Sequence, residues 1–78
     1  MQIKQAKEYF ELGVVVGFHA VRDPLASSNW LMVIEGKQGN SWTLQTKLGK
    51  EKSFSSLDTL MGQIEDIAGR VSSFKVSI

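Results

Sequence analysis

The spacing of apolar positions changes repeatedly along this chain, and each change predicts an element. Ile3, Ala6, Phe10 and Gly13 recur at helical spacing, with Lys4, Lys7, Glu8 and Glu11 on the wet side. That pattern predicts a helix over residues 2–12, stopped by Gly13. Lys4 with Glu8 and Lys7 with Glu11 form i,i+4 pairs in the weaker orientation, worth about 0.2–0.5 kcal/mol each at most. From Val14 the period becomes two. Val14, Val16, Phe18 and Ala20 then share one face, and Val15, Gly17, His19 and Val21 the other. The β-branched content favours a strand covered on one face and partly on the other. Asp23 to Asn29, DPLASSN, gathers turn formers around the only proline and predicts a loop.

Trp30, Met32 and Ile34 alternate with Leu31, Val33 and Glu35 in a second strand, and Gly36, Gly39 and Asn40 supply a short connection. An antiparallel hairpin to a third strand follows, over Ser41 to Leu48, with Trp42, Leu44 and Thr46 inward and Thr43, Gln45 and Lys47 outward. Ser55 or Ser56 can then cap a second helix, and Asp58 places a first-turn carboxylate at the positive end of its dipole. Leu57, Leu60, Met61, Ile64, Ile67 and Ala68 recur at helical spacing, and Gly69 can close the helix in a left-handed conformation. Finally Phe74, Val76 and Ile78 alternate with Ser73, Lys75 and Ser77, predicting a fourth strand.

The expected fold is therefore α+β, one domain over residues 1–78, with the order α-β-β-β-α-β. A mainly antiparallel four-stranded sheet carries both helices on one face. The second helix returns the chain so that strand four runs parallel to strands one and three. Strand four lies beside strand one, giving the order 4-1-2-3, or beside strand three; the first is preferred.

Composition narrows the function classes. A chain of 78 residues buries about 60–65% of the surface it exposes when unfolded, so its margin of stability is small. With no cysteine there is neither a disulfide framework nor a thiolate metal site, which favours a reducing cytoplasm. A net charge of +1 is too small to imply nucleic acid or an acidic membrane surface as partner. The longest apolar run, Leu12 to Phe18, falls far short of the roughly 20 residues a membrane span requires. Charges interrupt the first thirteen residues, unlike a signal peptide. A cytoplasmic protein with no membrane partner and no cofactor is expected.

Individual residues offer little chemistry. His19 is the single histidine, without convergent metal ligands or a nucleophile to serve, and reads as a half-exposed strand residue. Glu65 and Asp66 are adjacent on the second helix, hence about 100° apart around its axis rather than paired. Gly36 to Asn40, GKQGN, precedes a strand and reads as a hairpin rather than a phosphate cradle. No nucleophile elbow, phosphate loop, dinucleotide fingerprint or calcium loop is present. Trp30 and Trp42 could form a base-stacking platform, but they fall in register with the face assigned to the core. Lys47, Lys50 and Lys52, opposed by Glu51 alone, form the one local excess of positive charge. They precede a helix start whose amides favour anions, and the competing reading is a solvated loop that guards a strand end.

Two resemblances bear on function. The α-β-β-β-α order resembles the double-stranded RNA-binding domain, whose second helix starts at a basic phosphate clamp. Here the first turn reads SSLDTL, with an acid where that family places lysines, and a strand has been added. EYFELGVVVGFHAVRDPL, NWLMVIEGKQGNSWTL, the basic turn and FSSLDTLMGQIEDIAG together resemble small proteins of bacterial plasmids and integrative elements. That resemblance covers about Ala6 to Phe74 and implies a replication or partition accessory role without a catalytic residue. The expected function is a non-enzymatic accessory protein acting by binding. In one mechanism Lys47, Lys50 and Lys52 and the start of the second helix meet nucleic-acid phosphates. In the other, Phe74, Lys75, Val76 and Ile78 form an open sheet edge that recruits protein, including a second copy as a homodimer. An enzymatic role ranks third.

Overall fold

The computed structural model describes residues 1–69 and 75–77. Its elements are α1 (Ile3–Glu11), β1 (Val15–Asp23), β2 (Ala26–Gly36), β3 (Ser41–Thr43), β4 (Ser53–Phe54), α2 (Leu57–Ala68) and β5 (Lys75–Ser77). The fold is α+β, with the ladder running β3-β2-β1-β5 and β4 also pairing with β2. β1 and β2, and β2 and β3, are antiparallel, whereas β5 runs parallel to β1. The last strand thus lies beside the first, as the preferred order has it. Phe74 and Ile78, expected in that strand, lie outside the described residues.

Both helices pack on one face of the sheet. Phe18, Ala20, Met32, Ile34 and Leu44 meet Ala6, Leu60 and Ile64 in a single cluster. Fully burying a side chain such as Ile64 stabilises by about 1.5–3 kcal/mol relative to leaving it exposed. α2 follows its local signals closely. The Ser56 hydroxyl accepts a hydrogen bond from the Thr59 amide at 3.2 Å, Asp58 stands in the first turn, and Gly69 ends the helix at φ +77° and ψ −162°, a positive φ as expected but not the left-handed helical conformation. α1 ends as expected at Gly13, φ +76°. Lys7 reaches Asp66 of α2 at 3.4 Å, joining the two helices rather than closing a pair within α1.

Three expectations need correction. Val15 pairs with Gly36 and Gly17 with Glu35, so Val16 is an extra residue bulged out of the β1 ladder. A bulge of one residue inverts the facing of everything before it: Val15 is buried with Phe18 and Ala20, and Val16 faces out.

The expected loop from Asp23 to Asn29 shrinks to Pro24 and Leu25, because Asp23 pairs with Ala26 and Arg22 with Trp30. An Asx-type turn makes this possible: the Asp23 carboxylate accepts the Leu25 amide at 2.9 Å.

The third strand is not continuous to Leu48. β3 and β4 occupy the same edge of β2, at Val33–Glu35 and at Trp30–Leu31. Between them, residues 45–51 leave the ladder as a small hairpin arm. The Lys52 amide donates to the Leu44 carbonyl at 2.9 Å and that of Thr46 to the Lys50 carbonyl at 2.7 Å, with Gly49 at φ +83° near the tip.

Candidate functional site

The arm carries the lysines singled out in the sequence, and Gln45 holds it in place. The Gln45 amide donates to the Met1 carbonyl at 2.7 Å. Its side-chain oxygen accepts from the Met1 amino nitrogen at 2.9 Å, and its side-chain nitrogen donates to the Gly49 carbonyl at 3.2 Å. Met1 also donates to the Thr43 carbonyl at 3.2 Å, and the Gln2 side chain donates to the Lys47 carbonyl at 3.4 Å. The first two residues of the chain therefore lie along the β3 edge, with Gln2 bridging in parallel to Gln45.

This places the arm against the start of α1. Lys47 and Lys52 line a cleft of about 520 Å³ together with Lys4, Gln2, Ile3, Gln45 and Thr46. Gln2 gives α1 no side-chain cap, and no acidic residue stands in its first turn. The first amides of a helix have no intrahelical partner, so the positive end of α1 adds to the charge of the lysines that line the cleft rather than offsetting it. Lys50 is exposed on the returning limb, outside this cleft. Two of the three expected lysines are brought together, and the third is not.

The helix start beside the lysines is thus α1's, not the expected α2's. α2 already has the Ser56 hydroxyl and the Asp58 carboxylate at its first turn. Lys52 approaches α2 only in its middle, where Nζ donates to the Gln63 side-chain oxygen at 3.0 Å, and it lies 5.4 Å from the Phe54 ring centre. Lys4 was missed because, in sequence, it is one wet position of an amphipathic helix. The contact that recruits it, Gln2 to Gln45, spans most of the chain and has no local signal.

The tryptophans serve the core. Trp30 is buried, with the Arg22 guanidinium 4.0 Å from its ring centre, and half-buried Trp42 meets Tyr9 edge to face at 6.2 Å. Asp23, Ser53 and Asn29 form a polar group where β4 meets β2, and Asn29 and Ser53 line a pocket with Thr59, Gly62, Gln63 and Asp66 of α2. Ser53 donates to the Asp23 carboxylate at 2.8 Å and accepts from the Asn29 amide at 3.0 Å. The Leu25 amide, then the Ser53 hydroxyl, hold the Asp23 carboxyl below its usual range. His19, half-buried on the sheet face opposite Phe18 and Ala20, shares a hydrogen bond with the Ser77 hydroxyl. Among the described residues no group of three or more His, Asp or Glu gathers as metal ligands do, and no helix is long and apolar enough to cross a membrane.

The second expected surface lies across the sheet. Among the described residues β5 is the end strand of the ladder, and Lys75, Val76 and Ser77 are all exposed. Lys75 Nζ meets Glu35 Oε2 of β2 at 3.5 Å, passing over β1. Gly17 leaves room under that crossing: a Cβ there would stand 3.1 Å from Glu35 Oε1, so the carboxylate would have to shift slightly.

No protein-family profile matches this sequence, and no curated protein or solved structure matches it at a significant level.

Proposed function

We propose that the protein is a non-enzymatic binding module that holds nucleic-acid phosphates in the cleft between the arm and α1. The supporting observation is that Lys4, Lys47 and Lys52 line one cleft beside a helix start without a side-chain cap, Lys52 with its Nζ also bonded to Gln63 of α2. Lysines and helix amides are the groups that position a phosphate backbone without reading bases. The cleft offers no aromatic platform, since both tryptophans belong to the core side, so binding is expected to be sequence-tolerant. The resemblance to accessory proteins of bacterial plasmids and integrative elements gives this binding its setting, replication or partition.

Three lysines imply weak binding with a defined salt dependence. Neutralising three phosphates of duplex DNA gives a slope of about −2.7 in log K against log salt, an affinity loss of about forty-fold from 50 to 200 mM. The test is a fluorescence-anisotropy titration of labelled duplexes of unrelated sequence, begun at low salt. Binding of similar strength to each sequence supports the proposal. A flat titration with both DNA and RNA at the lowest salt would end it.

A further inference from the structure

We propose that two copies of the chain join edge to edge through β5, about a two-fold axis beside Val76. This goes beyond the lysine cleft and does not depend on it. Among the described residues β5 ends the ladder, and its three residues are exposed. The opposite edge differs, because Met1 and Gln2 lie along β3 and the arm breaks the line between β3 and β4. An unpaired edge is a template for another strand unless charge, proline or a bulge blunts it. β5 has one charge, Lys75, and Glu35 draws it back over β1 at Gly17.

The sequence of β5 chooses the register. Antiparallel pairing centred on Val76 sets Lys75 opposite the partner's Ser77 and Val76 opposite the partner's Val76. Centring on Lys75 would set two ammonium groups face to face, which is destabilising. The Val76 register is self-complementary, as a two-fold interface requires. Val76 pairs with Ala20, a core residue, so it lies on the helix side of the sheet. At 43% exposure it has apolar surface for its counterpart to cover. Lys75 and Ser77 lie on the other face, beside His19 and Glu35. Backbone hydrogen bonds supply the affinity, as in other strand additions.

The experiment is sedimentation of the full chain from micromolar to millimolar concentration, with far-UV circular dichroism on the same samples. The unaltered protein is expected to show a concentration-dependent dimer. Val76→Lys sets like charges opposite each other and should raise the dimer Kd by about tenfold or more, with the monomer's dichroism unchanged. Val76→Thr, strand-compatible and uncharged, should keep the dimer. If Val76→Lys fails to fold, Ser77→Lys sets a second charge opposite the partner's Lys75 and must give the same weakening. A monomer at every concentration for the unaltered protein overturns the proposal, as does an undiminished dimer in a folded lysine variant.

Discussion

Leu44 and Leu48 differ by four positions in what the alternating pattern reads as one strand, and replacing each by alanine tests whether that strand is broken. A continuous strand has a period of two, so both leucines would face the core and both would be costly to truncate. In the structure Leu44 is fully buried beside the point where the arm departs, while Leu48 at the arm's tip is 88% exposed. Leu44→Ala leaves a cavity among Met32, Ile34 and the α2 residues of the same cluster. Such truncations cost about 2–5 kcal/mol. Met32 is flexible enough to fill part of the space, which sets the expectation near the middle of that range, at about 3 kcal/mol. A chain of this length has a total stability of about 4–12 kcal/mol, so the variant loses a quarter or more of it. The thermal midpoint should fall by about 12–24 °C. Leu48→Ala should stay within about 0.5 kcal/mol of the parent. Urea unfolding followed by the fluorescence of Trp30 and Trp42 reads both. Equal destabilisation by the two substitutions would refute the arm and restore the unbroken strand.

Ser56→Ala removes the hydroxyl that accepts the Thr59 amide, and should cost about 0.5–2 kcal/mol in the same urea assay. Asp23 gives a pH-dependent result. Its carboxyl is lowered below 3.8, first by the Leu25 amide and then by the Ser53 hydroxyl. A depressed folded-state value means stability that is present above the unfolded value and lost as pH falls through the folded one. Asp23→Asn should therefore be less stable than the parent at neutral pH, and the gap should close below pH 3.8. A gap of constant size from neutral to acid pH would show that the carboxylate's charge is not what the turn uses.

How much of this was legible in the sequence depended on how local the decisive contact was. α2 could be read almost in full, because the Ser56 cap, the apolar stripe and Gly69 all act within its own length. The phase of β1 before Phe18 could not, since a single bulged residue, Val16, inverts it. Asp23 looked like the start of a long loop because turn formers follow it. Its own carboxylate closes the turn in two residues instead, and Ser27, Ser28 and Asn29 are free to extend β2. The lysine surface was half legible. The charge excess from Lys47 to Lys52 is visible in the chain, but its true neighbour, Lys4, arrives through the pairing of Met1 and Gln2 with Gln45. Lys52's bond to Gln63 and Lys50's place outside the cleft depend on the path of the arm, which no local pattern encodes.

If the cleft binds phosphate as proposed, Lys4, and not Lys50, completes it. The direct test is the salt dependence of duplex binding for the parent, Lys4→Ala and Lys50→Ala. With three phosphates neutralised the parent slope should be about −2.7, and each cleft lysine should account for about 0.9 of it. Lys4→Ala should give about −1.8, so that the loss from 50 to 200 mM salt falls to about twelve-fold, while Lys50→Ala keeps the parent slope. A parent slope that survives Lys4→Ala and drops with Lys50→Ala would contradict the cleft and assign the charge to the arm alone.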